Sequence, residues 1–148
     1  MSRRSAMDFG LPVLHYRGST VQRSFFSFDH SNALPCTKPA RIVDVHSANQ
    51  WRSYFEASKQ NNNLLVIEFT ATWCKPCRYM EQPMNDLAAK HTDVVFVRID
   101  VDELARVAQQ FNVTTMPAFS LVKKGKVVDE VAGVKKNELE NKIEKHKI

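Results

Sequence analysis

"LLVIEFTATWCKPCRYM", residues 64–80, decides how this chain folds. "LLVIEFT" is almost continuously apolar, the pattern of a strand buried on both faces of a sheet. Glu68 alone interrupts that run. "TATW" turns the chain, and the pattern from about Cys74 to Lys90 is helical, with Met80, Met84, Leu87 and Ala88 on one face. Cys74 and Cys77 therefore stand at a strand-to-helix junction. Unpaired N–H groups and the partial positive charge of a helix start favour thiolate at Cys74. Cys77 lies one turn further on, on the same face and within disulfide reach. The spacing predicts an exposed first sulfur and a more buried second one. That asymmetry suits an attacking and a resolving thiol.

Other uses of two cysteines remain open at this level. Structural zinc takes four ligands, commonly as two Cys or Cys/His pairs. The chain has no second C-x-x-C, and its third cysteine, Cys36, lies 38 residues before Cys74. His15, His30, His46, His91 and His146 form no pair at helical spacing. An iron–sulfur cluster shared between two chains, or plain packing beside Trp73, is the remaining alternative. An odd total of three cysteines does not make a disulfide scaffold and fits a reducing compartment.

Outward from the centre, the pattern stays regular. "RIVDV" (41–45) alternates as a short strand, and Ser47 is placed to cap a helix reaching about Lys59, with Trp51 and Phe55 one turn apart. "NNN" (61–63) marks a loop. "DVVFVRIDV" (93–101) is a second buried strand. Asp102 is predicted to cap a helix whose Leu104, Val107, Ala108 and Phe111 share a face. "PAFSLVKKGKVVDEVAG" (117–133) reads as two strands around Gly125, and a last helix covers about 136–147 with Leu139 and Ile143 inward. This order predicts an α/β fold: a central mixed sheet of about five strands with helices on both faces.

The chain has 148 residues, net charge +5 and 25% charged side chains, as one soluble domain would. Residues 1–40 hold five basic and two acidic side chains, and residues 41–148 hold sixteen and fourteen. The regular part is thus nearly balanced. It offers no basic stripe with interleaved aromatics, which argues against nucleic acid as a partner. "KKGK" (123–126) reads as a solvated turn. No apolar run approaches the length of a transmembrane helix. Residues 1–40 carry six Ser and three Pro without period, and are expected to be a flexible or targeting extension with weak transit-peptide character. The domain is expected over 41–148.

"WCKPC" after "LLVIEFTAT" resembles the thioredoxin active site. The likeness continues through "FVRIDVDEL", "VAQQFNV", "MPAF" and "VVDEVAG", and its style is similar to plant h-type thioredoxins. It spans about 41–148 and implies the thioredoxin fold with protein-disulfide reductase activity. The resemblance makes Cys74 the nucleophile, Cys77 the resolving thiol, Trp73 the tryptophan flanking the site, Pro76 a tuning residue between the cysteines, and Pro117 a cis-proline facing them. Met116 would offer its backbone to substrate, and Gly133 would lie on the substrate-facing surface. It implies no metal or organic cofactor. It implies disulfide-containing protein substrates and an external reductant, either thioredoxin reductase or glutathione/glutaredoxin. A cytoplasmic monomer is expected, or a mitochondrial or other organellar protein if the extension is a targeting signal.

Some positions depart from the family. Lys75 replaces a glycine, and Ala118 replaces the threonine after the cis-proline. Glu68 stands where a buried aspartate usually exchanges a proton with the resolving thiol. Burial should raise the pKa of that carboxyl, and Arg98, in place of a lysine, should keep it more ionised. The helix-kinking proline falls one place late, at Pro83, with Gln82 in its stead, so the kink is expected to shift by about one residue. Lys75 and Glu68 leave room for an alternative, a thioredoxin-fold binding module with weak turnover.

Overall fold

A computed structural model describes residues 41–148. The expected extension over 1–40, with Cys36, lies outside the described residues. Five strands form one sheet: β1 (Ile42–Val45), β2 (Leu65–Thr70), β3 (Val95–Asp100), β4 (Ala118–Lys123) and β5 (Lys126–Ala132). Their spatial order is β1-β3-β2-β4-β5. The first three are parallel, while β4 runs antiparallel to β2 and β5 antiparallel to β4. The helices are α1 (Ala48–Gln60), α2 (Lys75–Arg78), α3 (Glu81–Lys90), α4 (Ala105–Gln110) and α5 (Lys136–His146). The mixed five-stranded sheet and the strand–helix alternation agree with the sequence reading.

The period of two along β2 divides the interior. Leu65, Ile67 and Phe69 face α1 and α4, where they pack with Trp51, Val97, Val107 and Ala108. Leu64 and Val66 face α3 and α5, among Met84, Leu87, Phe96, Leu139 and Ile143. Burying each such side chain is worth about 1.5–3 kcal/mol. Ser47 caps α1 as expected, its side chain accepting from the Gln50 N–H. Lys124 and Gly125, with φ of 52° and 75°, make the two-residue hairpin turn that needs left-handed backbone at both positions.

Two local expectations fail. The single helix over Cys74–Lys90 is broken at Tyr79–Met80 into α2 and α3. Pro83 has no N–H for the Tyr79 carbonyl four residues back, and its ring crowds that carbonyl. The break therefore sits a full turn ahead of the proline. There the Tyr79 and Met80 N–H groups donate three residues back, to Pro76 and Cys77. Asp102 does not cap α4 either. Leu104 holds the N-cap position, with no side-chain cap bond. The Glu103 and Leu104 N–H groups both turn back to the Asp100 carbonyl, which leaves the Asp102 carboxylate free for another partner.

Candidate redox site

β2 delivers the chain to Ala71, whose carbonyl accepts from the Cys74 N–H at 3.1 Å. Cys74 is the N-cap of α2, and the Cys77 N–H donates to its sulfur at 3.2 Å. Cys74 and Cys77 are joined as a disulfide, with Cα atoms 5.4 Å apart. Because α2 is so short, local N–H groups act on Cys74 in place of the long helix expected from the sequence. The predicted difference in exposure is also absent: Cys74 is 4% and Cys77 3% exposed. Ala71 clusters with the two cysteines, and Val101 and Met116 pack against that cluster.

The two sulfurs differ in what they face. A groove of about 470 Å³ is lined by Trp73, Cys74, Lys75, Pro76, Val101 and Met116, among others. Cys77 does not line it. A second, more polar cleft of about 300 Å³ lies against both Cys74 and Cys77, with Glu68, Arg98, Asp44 and Glu81. The Cys74–Cys77 pair thus borders two cavities. The structure brings Trp73, Lys75, Pro76 and Met116 to the first, and Glu68 and Arg98 to the second. The Met116–Pro117 bond is cis, and the Pro117 carbonyl accepts from the Gly133 N–H at 2.8 Å. Gly133, with φ of 93°, therefore meets the site through Pro117 and does not line either cavity.

Glu68 is 1% exposed, and Arg98 Nε donates to its Oε2 at 2.9 Å. Burial pushes the Glu68 carboxyl up from its ordinary value, and Arg98 offsets only part of that rise. Glu81 and Asp44 add to it through their negative charge. Desolvation wins because the whole carboxyl is withdrawn from water while a single guanidinium nitrogen approaches it. Sequence reasoning missed two residues. Asp102 accepts from the indole Nε1 of Trp73 at 2.9 Å, tethering a ring that is 63% exposed. Asp44 accepts from Arg98 Nη1 at 3.3 Å. Neither pairing has a local signal, since each joins residues far apart in the chain. Among the described residues, no group of three or more His, Cys, Asp or Glu side chains is placed to hold a metal.

A family profile described as Thioredoxin matches residues 43–145. The chain belongs to the thioredoxin family. It is 44% identical over 145 residues to Thioredoxin H8 of Arabidopsis thaliana, covering 96% of this chain and 93% of that protein. It is 48% identical over 123 residues to Thioredoxin H2-2 of Oryza sativa subsp. japonica, covering 81% and 92%. The crystal structure of thioredoxin NaTrxh from Nicotiana alata is 54% identical, with a TM-score of 0.72, over 75% of this chain and 96% of that one. This thioredoxin is a thiol–disulfide oxidoreductase, and its activity is that of a thioredoxin-type protein-disulfide reductase. No described helix is long and apolar enough to cross a membrane.

Proposed function

We propose that Cys74 is the attacking thiol and Cys77 the resolving one, and that Glu68 carries the proton for Cys77. The observation that carries this reading is the division of cavities: Cys74 lines the apolar groove, and Cys77 lines only the cleft that holds Glu68. A disulfide-bearing peptide fits the groove beside Trp73 and Met116. The Cys74 thiolate forms a bond to one substrate sulfur, and the electron pair of the broken S–S bond leaves with the other, which takes up a proton. Cys77 passes its proton to Glu68 and attacks the Cys74 sulfur. The second substrate thiol leaves, and two electrons have passed from the protein to the substrate.

An external thiol reductant, either thioredoxin reductase or glutathione with glutaredoxin, returns the two electrons. Trp73 shapes one wall of the groove, the Met116 backbone pairs with the bound peptide, and Pro117 with Gly133 supports that wall. Lys75 and Pro76 tune the first turn, and Arg98 tunes Glu68. The domain over 41–148 works as a monomer in the cytoplasm, behind a separate extension over 1–40. A trapping experiment decides the order of the thiols. Cys77→Ser should accumulate a mixed disulfide with a protein substrate on a non-reducing gel, and Cys74→Ser should not. The reverse pattern would exchange their roles.

A further inference from the structure

Three parallel strands each contribute one charged side chain to a single row. Asp44 on β1 is in register with Arg98 on β3, and Arg98 is in register with Glu68 on β2. Two residues earlier on each strand, the row is Ile42, Phe96 and Val66, all apolar. Alternate residues share a face, so the charged row projects from the same side of the sheet as that apolar row, beneath α2 and α3. The row grades from core to solvent: the Glu68 side chain is 2% exposed, Arg98 27% and Asp44 53%. Arg98 gives Nε to Glu68 at 2.9 Å and Nη1 to Asp44 at 3.3 Å.

We propose that Asp44 is a positioning residue of the redox site: it draws part of the Arg98 guanidinium toward the mouth of the second cleft, so that Glu68 is held by one nitrogen only. This rests on the reading of Glu68 as proton carrier for Cys77. A guanidinium with one carboxylate partner commonly takes it with two parallel N–H bonds, and a carboxylate so held is firmly ionised. With Nη1 turned to Asp44, the guanidinium is oriented so that Glu68 accepts from Nε alone, which leaves Glu68 able to bind and release a proton.

The groups facing Glu68 act in both directions. Burial comes first in raising its proton affinity, Arg98 opposes it, and Glu81 from α3 and Asp44 from β1 add to it. Arg78, His46, Asp100 and Glu103 complete the charged rim of the cleft. Asp44 is half exposed, so water screens its direct pull on Glu68. Its hold on the Arg98 geometry is the larger lever. β1 is an edge strand, so Asn is accommodated at this position without repacking the interior.

The test is a carbon-13 titration of the Glu68 carboxyl in the oxidised protein, where neither cysteine ionises. In Asp44→Asn the Glu68 midpoint should fall, in Asp44→Ala it should fall further, and in Asp44→Glu it should stay near the parent. A midpoint that is unchanged or higher in both Asp44→Asn and Asp44→Ala overturns the inference. The same variants are then followed through the pH profile of mixed-disulfide resolution. Its acid limb should move down with the Glu68 midpoint. If the midpoint moves and the profile does not, Asp44 controls Glu68 but Glu68 is not the proton carrier, and it is that reading which fails.

Discussion

Glu68→Gln tests the proposed proton carrier while keeping its shape. An ordinary thiol of pKa about 8.5 is about 3% thiolate at pH 7, about 24% at pH 8 and about 76% at pH 9. For such a thiol, a base that supplied Cys77 wholly as thiolate would speed resolution by about 30-fold, 4-fold and 1.3-fold at those pH values, below the roughly 10²–10⁴-fold that general bases typically reach. The variant should lose those factors in resolution while the first attack by Cys74 stays within about twofold, because Cys74 alone lines the substrate groove. The assay is stopped-flow reaction of the reduced protein with dithiobis-nitrobenzoate, in which attack and resolution each release one thionitrobenzoate. A stability signature accompanies it. Glu68 has a raised folded pKa, so the folded state binds its proton more tightly than the unfolded chain. Parent stability must then fall as pH rises from the ordinary carboxylate value, 4.5, through the folded one. Glutamine removes that slope. Arg98 is not stranded, since it keeps Asp44 and partial exposure, so the variant should gain roughly 1 kcal/mol at pH 8 in urea unfolding. Slowing of equal size at pH 7 and pH 9, or no slowing at pH 7, would refute the reasoning.

Gly133→Val places a β-branched residue at φ 93°. A Cβ there meets nothing within 4 Å, so the penalty is mainly conformational and should be about 1–3 kcal/mol. Calorimetry should show a Tm drop of several degrees, larger than for Gly133→Asn; a Val variant as stable as the parent would rule out backbone strain as the reason for glycine. Lys75 is exposed at the first turn of α2, next to Cys74 in the chain. Its attraction for a thiolate is worth roughly 1 kcal/mol or less, so Lys75→Gly should lower the reduction potential by about 10–20 mV in equilibration against glutathione. A potential equal to or above the parent's would count against the electrostatic account.

Much of this molecule was legible in its sequence because the relevant forces are short-ranged. The apolar runs of β2 and β3, the capping of α1 by Ser47 and the hairpin turn around Gly125 follow from side-chain period and backbone preference alone. The helix break at Tyr79–Met80 was also within reach, since it follows from the missing N–H of Pro83. Other features needed the sheet to assemble. Arg98 is 30 residues from Glu68 and 54 from Asp44, and only parallel register brings the three into one row. Asp102 meets Trp73 across 29 residues, so nothing local separates a helix cap from an indole acceptor. The cover over the cysteine pair and the groove beside Cys74 depend on Val101 and Met116 arriving from other parts of the chain, and the second cleft depends on Asp44, Glu68 and Arg98 meeting there. Periodicity decides which residues face inward; close packing between distant segments decides which of them meet, and the Glu68–Arg98–Asp44 row beside Cys77 is built from such meetings.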